Sequence, residues 1–165
     1  MNQAIHTVDL LQWLMGGVAS IQAHRSTLTH DIVTEDVASA SFRFNNGALG
    51  SITATTSASS DYPVRVEVIG TEGRVTLENN VVTLWEAARP LGDSLLTDED
   101  RELVEGWRAG EPFGAGHTRQ LKTIFKCLAG GVQAPVAGAE ARRAVDIILG
   151  IYESSRTGAR VKFER

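Results

Sequence analysis

The fold is decided by residues 35–55, EDVASASFRFNNGALGSITAT. From Asp36 to Phe44, acidic, small or aromatic residues alternate with Val37, serines and an arginine, and this period of two is typical of a half-buried β-strand. The Asn-Asn-Gly at 45–47 predicts a hairpin turn, because asparagine and glycine tolerate the positive φ that such a turn needs. The stretch therefore predicts an antiparallel hairpin.

More strands are predicted on both sides of this hairpin. Residues 18–27, VASIQAHRST, precede it, and residues 63–70, 74–79 and 81–86 follow it. The turns between the later strands are so short that neighbours must run antiparallel, since a parallel pair needs a crossover of about a dozen residues. The middle of the chain therefore predicts an antiparallel meander of about five to six strands.

Three helices surround these strands in the sequence. Residues 2–16, NQAIHTVDLLQWLMG, place Ile5, Val8, Leu11 and Met15 on one apolar stripe. Residues 117–131 and 139–158 have the same helical spacing, and glycines end both runs.

The order of these elements predicts a single α+β domain over residues 1–165, with helices packed on one face of an open, mainly antiparallel sheet. Residues from about 87 to 115 are predicted to form a long loop or arm, and the final RVKF a short strand. The other face of the sheet is rich in serine and threonine and needs either solvent or a partner.

The composition is that of a globular protein, with 42% hydrophobic and 22% charged residues and a net charge of −4. No apolar run reaches the roughly 18 residues that cross a bilayer, and an acidic balance disfavours nucleic acid as a partner. Cys127 is the one cysteine, which excludes an internal disulfide and fits a reducing compartment. We therefore expect a cytoplasmic protein with no membrane and no nucleic-acid partner.

A polar stripe on the first predicted helix is the best candidate for chemistry, and it contains Asn2, His6, Asp9 and Trp13. A histidine exchanges a proton near neutral pH, and a neighbouring carboxylate or amide can fix its tautomer or hold a substrate hydroxyl. The alternative is an ordinary histidine on a half-buried helix. His117 opens a later helix, where it can point into a cleft or merely cap that helix.

Other kinds of site have weaker support. The histidines lack the HxxxH or HxH spacing of a metal site, so no metal is expected. The pair Glu35-Asp36 can hold a cation or a sugar hydroxyl, but an ordinary turn with an exposed edge is the favoured interpretation. No GxSxG motif occurs, and no GxGxxG turn that would bind a dinucleotide.

Several runs, in this order, resemble the C-terminal half of the glucose-fructose oxidoreductase, inositol dehydrogenase and MocA family, from position 2 to about 162. They are NQAIHTVDLLQWLMG, EDVASASFRFNNGALGSITAT, VEVIGTEGRVTLEN, H...LKTIFKCLAGG and EARRAVDIILGIYESSRTGARV. In that family an N-terminal Rossmann domain binds NAD or NADP, and the α+β half shapes the substrate pocket and forms oligomers. The resemblance implies that the cofactor domain is absent from this chain, which alone is expected to bind no cofactor.

The resemblance also implies roles for individual residues. His6 falls on the family's catalytic histidine, which exchanges the proton of the hydroxyl being oxidised. Asn2 falls where the family has an aspartate, and an amide cannot ionise and lend charge to His6. Asp9 matches the acidic residue that usually follows the histidine by three, and the resemblance implies that it orients the helix or the histidine. Substrate-binding roles are therefore expected for Asn2, Asp9 and His117.

Two functions follow from these observations. In the first, the chain is the substrate-binding and oligomerisation part of an NAD(P)-dependent oxidoreductase acting on a sugar, cyclitol or related polyol. It would form a homo-oligomer through the sheet face, and the isolated chain would be inactive without a Rossmann domain. The alternative is a free-standing, non-catalytic binding or assembly module of the same fold.

Overall fold

The computed structural model describes residues 3–79, 81–88, 97–98, 100–102, 105 and 114–163. In chain order, the helices and strands are α1 (Ile5–Met15), β1 (Val18–Ser26), β2 (Val37–Phe44), β3 (Leu49–Thr55), β4 (Arg65–Gly70), β5 (Gly73–Glu78), β6 (Val81–Ala87), α2 (Gly114–Ala129), α3 (Gly138–Thr157) and β7 (Val161–Lys162). Each of these elements lies where the sequence predicts a helix or a strand. They belong to two compact units, Met1–Tyr62 with Val136–Arg165, and Pro63–Pro135.

The first unit is built on a sheet with strand order β3-β2-β1-β7, in which every described pairing is antiparallel. Side chains of β2 alternate between buried and exposed, as the period of two predicts. The buried face packs against one side of α1 and of α3. Its core consists of Val8, Val18, Ile21, Ala23, Ala40, Phe42, Phe44, Ile147, Ile148 and Ile151. The predicted α+β class, with helices on one face of an open antiparallel sheet, is confirmed.

The β2–β3 turn also fastens the end of α1. At the turn, Gly47 has φ 89°, which glycine adopts without strain. The helix ends at Gly16 in the left-handed region, and Asn45 donates through its backbone N–H to the Gly17 carbonyl at 3.0 Å. Its side-chain amide donates to the Gly16 carbonyl at 3.3 Å. The hairpin therefore fixes where α1 leaves the sheet.

Two hydroxyl groups of α3 complete the hydrogen bonding of β1. Strand β7 pairs with β1 at Ser20 and Ile21. Farther along β1, the backbone N–H of Ala23 donates to Ser154 Oγ at 3.0 Å, and that of Arg25 donates to Ser155 Oγ at 3.1 Å. Side chains of the helix thus replace a strand, and α3 is held in register with β1.

The second unit contains a sheet with strand order β4-β5-β6, also antiparallel, and helix α2. Thr97 and Asp100 form a reciprocal capping box, in which each backbone N–H donates to the other side chain, at 2.8 and 3.1 Å. Arg119 of α2 donates to the Asp100 carboxylate. The hydroxyl and backbone N–H of Thr97, together with Arg119, lower the pKa of Asp100 to about 2.

The six middle strands form two sheets, whereas the sequence predicted a single meander. The nine residues 56–64, TSASSDYPV, separate β3 from β4. They are too many for a tight hairpin, and Pro63 has no N–H with which to extend a ladder. Most of the predicted arm at about 87–115 lies outside the described residues, and a single domain over 1–165 stays a prediction.

We expect Ser154→Ala to lower the free energy of unfolding by about 1–3 kcal/mol. Ser154 is fully buried, and its hydroxyl both accepts from Ala23 and donates to the Ala159 carbonyl at 2.7 Å. The substitution leaves both backbone groups without this partner. Urea unfolding followed by circular dichroism measures the loss. Ser155→Ala is the matched control, and an equal loss there would contradict the role assigned to Ser154.

Candidate functional site

Helix α1 presents the predicted polar stripe on the side away from the core. Val8 is 1% exposed and packs with α3 and the sheet, so the helix is anchored through its apolar stripe. His6 is exposed, Asp9 is half-buried and the indole of Trp13 is 68% exposed. Asn2, predicted to bind substrate, lies outside the described residues. The structure therefore places His6 and Asp9 on one accessible helix, three residues apart.

Asp9 belongs to a hydrogen-bonded chain that links α1 with α3. The amide Nε2 of Gln12 lies 3.3 Å from Asp9 Oδ1 and 3.3 Å from Glu140 Oε1. Glu140 forms an ion pair with Arg143, whose Nη1 lies 3.0 Å from Glu140 Oε2. The Asp9 carboxylate is thus linked by hydrogen bonds, through Gln12, to Glu140 on α3.

His117 lies on α2, in the second unit, and its side chain is exposed. A place in a cleft and a substrate contact stay predictions for this residue.

Asp36 is buried, so the interpretation of Glu35-Asp36 as a turn with an exposed edge is wrong. Its carboxylate accepts the backbone N–H groups of Leu28, Thr29 and His30 at 2.8, 2.7 and 3.0 Å. The Thr29 hydroxyl donates to it at 3.0 Å, and His30 Nδ1 lies 3.3 Å away. The carboxylate therefore organises the loop between β1 and β2.

The hydrogen bonds to Asp36 change its acidity. Burial alone raises the pKa of a carboxyl group, because it disfavours the charged form. Here the backbone N–H groups of Thr29, Leu28 and His30, with the Thr29 hydroxyl, outweigh burial and hold the pKa of Asp36 far below its usual range. Asp36 is thus a structural carboxylate that stays ionised at neutral pH.

Glu35 is also buried and takes part in a cluster with β1 and α3. The Tyr152 hydroxyl donates to Glu35 Oε1 at 3.1 Å, and Arg25 Nη1 lies 3.6 Å from Glu35 Oε2. The Arg25 guanidinium also stacks 4.9 Å from the centre of the Tyr152 ring. Burial and the neighbouring Glu35 carboxylate raise the pKa of Tyr152. The cluster fastens the loop before β2 to the C-terminal half of α3.

Within the described ranges there is neither a metal-binding cluster nor a membrane-spanning helix. No group of three or more His, Cys, Asp or Glu side chains is arranged to hold a metal ion there. Nor does any helix of those ranges have the length and apolar character needed to cross a membrane.

The fold of the chain corresponds to a known class of domain. Residues 1–76 match the family model described as the GFO/IDH/MocA C-terminal domain. The predicted resemblance to the C-terminal domain of the glucose-fructose oxidoreductase, inositol dehydrogenase and MocA family is thus confirmed.

Individual relatives fit this class. The chain is 28% identical to myo-inositol 2-dehydrogenase of Thermotoga maritima, over 99% of this chain and 48% of that protein. It is 24% identical to scyllo-inositol 2-dehydrogenase (NAD(+)) of Bacillus subtilis, over 98% of this chain and 46% of that protein. The chain thus spans about half the length of the curated relatives it matches.

A solved structure with a similar fold is the WlbA dehydrogenase from Bordetella pertussis, in complex with NADH and UDP-GlcNAcA. It is 31% identical, with a TM-score of 0.86 over 100% of this chain and 47% of that one.

We expect Asp36→Asn to destabilise the first unit at neutral pH and to flatten its stability below about pH 4. The pKa of Asp36 is lowered in the folded state, so its contribution is complete above the unfolded value of about 3.9 and is lost as the pH falls toward the folded value. Urea unfolding from pH 7 to pH 2 measures both effects. Asp31→Asn, at an exposed position of the same loop, is the control, and equal pH profiles for wild type and Asp36→Asn would contradict the prediction.

Proposed function

We propose that this chain is the substrate-binding and oligomerisation part of an NAD(P)-dependent oxidoreductase that acts on a sugar, cyclitol or related polyol. The observation that carries the proposal is the exposed His6 on a helix whose other side is locked into the core. Support comes from the relatives, which include inositol dehydrogenases and a dehydrogenase solved with NADH and a nucleotide sugar.

His6 is assigned the role of proton acceptor. An imidazole nitrogen takes the proton of a substrate hydroxyl as the carbon that bears it is oxidised. Asp9, three residues along the same helix, accepts a hydrogen bond from a second hydroxyl. Asn2 can donate to or accept from the substrate but cannot ionise, which distinguishes it from the aspartate expected at that position.

The described residues do not fit a nicotinamide dinucleotide. Such a cofactor is held by a βαβ unit with a glycine-rich turn, whereas the described strand pairings are antiparallel. No hydride step is therefore assigned to the residues of this chain, and NAD or NADP is proposed only for the longer family enzyme.

Binding of a polyol is the direct test. In NMR titrations of the chain with myo-inositol, we expect the resonances of α1 around His6 and Asp9 to shift. We expect His6→Gln to weaken binding about fivefold, the effect of losing a hydrogen bond worth about 1 kcal/mol. His24→Gln, at an exposed position on the sheet, is the control. Shifts confined to other elements, or none, would favour the alternative of a non-catalytic binding or assembly module.

Turnover is tested separately. With NAD or NADP and a panel of polyols, the isolated chain is expected to form no reduced nicotinamide, measured by absorbance. Turnover by this chain alone would show that the assignment to a substrate-binding part is wrong.

The outer face of the first sheet is proposed to form a homo-oligomer. This face is polar and exposed along β2 and β3, with Ser39 and Thr53 opposite each other and their hydroxyl oxygens 3.4 Å apart. A self-complementary pair of such faces would be two-fold symmetric.

We expect Ser41→Arg to dissociate this oligomer, because it adds one cation to each copy of the exposed face proposed to pair with itself. Sedimentation velocity across a concentration series measures the change. Gln133→Arg adds the same charge at an exposed position in the second unit and is expected to leave association unchanged. A wild-type protein that stays monomeric at high concentration would contradict the proposal.

A further inference from the structure

Gln12 is a buried polar residue between α1 and α3. Its residue is 2% exposed, and its Nε2 carries two hydrogens, one available to Asp9 Oδ1 and one to Glu140 Oε1. Arg143 in turn holds both oxygens of Glu140, with Nη1 at 3.3 Å from Oε1 and 3.0 Å from Oε2. The accessible side of α1 is therefore connected to the first two turns of α3 by four side chains in series.

Packing does not explain an amide at this position. Within the described part of the chain, Gln12 Oε1 is buried without a hydrogen-bond partner, and such a group costs free energy on folding. The positions of α1 that pack in or against the core beside Gln12 are apolar, and they include Val8, Leu11 and Met15. An aliphatic side chain of the same length would fill the space without that cost. What the amide supplies in return is the pair of hydrogen bonds from Nε2 to Asp9 and Glu140.

Its effect falls on Asp9. An aspartate on a helix surface samples several staggered rotamers, and a hydrogen bond to Oδ1 from a fixed donor favours the one that reaches it. Gln12 is itself fixed, because its second amide hydrogen is directed at Glu140 on another helix. The bond occupies Oδ1 and leaves Asp9 Oδ2, on a half-buried residue, to accept from a further donor.

We propose that Gln12 is a positioning residue: with Glu140 and Arg143 as its anchor, it holds the Asp9 carboxylate in one rotamer to receive a polyol hydroxyl beside His6. The inference rests on the proposed function, since it names how that site is built. Under this inference, Glu140 and Arg143 of α3 determine the orientation of the Asp9 side chain on α1.

The test is Gln12→Met, which keeps the length of the side chain and removes both donors. We expect Asp9 to populate several χ1 rotamers, measured by three-bond NMR couplings, and its Cγ resonance to shift. We also expect the dissociation constant for myo-inositol to rise about fivefold. The urea midpoint is expected to change little, because the substitution removes an orphaned buried oxygen together with two long hydrogen bonds to partly exposed carboxylates. If Gln12 were merely structural, Gln12→Met would lower the urea midpoint and leave the χ1 rotamer of Asp9 unchanged.

Two further variants sharpen the result. Glu140→Leu removes the anchor and is expected to reproduce the loss of binding, and Gln12→Met with Glu140→Leu is expected to be no worse than either alone. Val8→Ala, a cavity in the same helix, is the control that lowers stability and leaves the Asp9 rotamer unchanged.

The outcomes separate this inference from the proposed function. A single, unchanged Asp9 rotamer in Gln12→Met overturns the inference, as does a changed rotamer with an unchanged dissociation constant. A changed rotamer in a protein that binds neither myo-inositol nor any other member of a panel of sugars and polyols supports positioning by Gln12 and overturns the proposed function.

Discussion

The packing of α3 across the inner face of the first sheet is the interaction on which the rest of this unit depends. Ile151 is completely buried in that contact, and Gly150 beside it admits the ring of Phe163. A Cβ at Gly150 would lie 2.6 Å from Phe163 Cζ, so a larger residue would push the ring away. Phe163 directly follows β7, and its N–H donates to Ala19 on β1 at 3.0 Å. One close approach thus places the helix, the last strand and the middle of the sheet.

The position of α1 follows from α3. The helix contacts the core through Val8 and contacts α3 through Gln12, while the hairpin turn at Asn45 fixes its C-terminal end. These three attachments leave one side of α1 accessible, and His6 lies on that side. The candidate site therefore lies on the accessible side of a helix that the core and α3 hold along its length and the hairpin turn holds at its C-terminal end. Such support suits residues that must meet a substrate in a defined geometry.

Much of this fold was predictable from local pattern. The alternation along β2, the Asn-Asn-Gly turn and the apolar stripes of the helices are effects of neighbouring residues, and they determine each element by itself. The division of the strands into two sheets was not predicted, because local pattern does not show that β3 and β4 are not paired with each other. The contact of Gln12 with Glu140, 128 positions away, has no local signal at all.

The positions of the candidate site residues were also predictable only in part. Helical spacing predicted that His6 and Asp9 lie on one stripe, and the structure places both residues on α1, three positions apart. Adjacent acidic residues at 35–36 indicated an exposed turn, because charged side chains are seldom buried unless they are paired. Both are buried, since backbone N–H groups and Tyr152 serve as partners. Sequence patterns show charge but not the donors that a folded loop directs at it.

Asp36 and Gln12 show that buried polar side chains in one unit serve different ends. Every backbone donor to Asp36 lies within eight positions of it, and its carboxylate accepts at both oxygens, so its burial is compensated and its effect is confined to one loop. Gln12 joins two helices, and among the residues that the structure describes its Oε1 has no hydrogen-bond partner. A group whose burial is compensated needs no further explanation than stability. For Gln12 packing alone is an incomplete explanation, and its hydrogen bond to Asp9 joins this buried position to the helix on which the proposed substrate would bind.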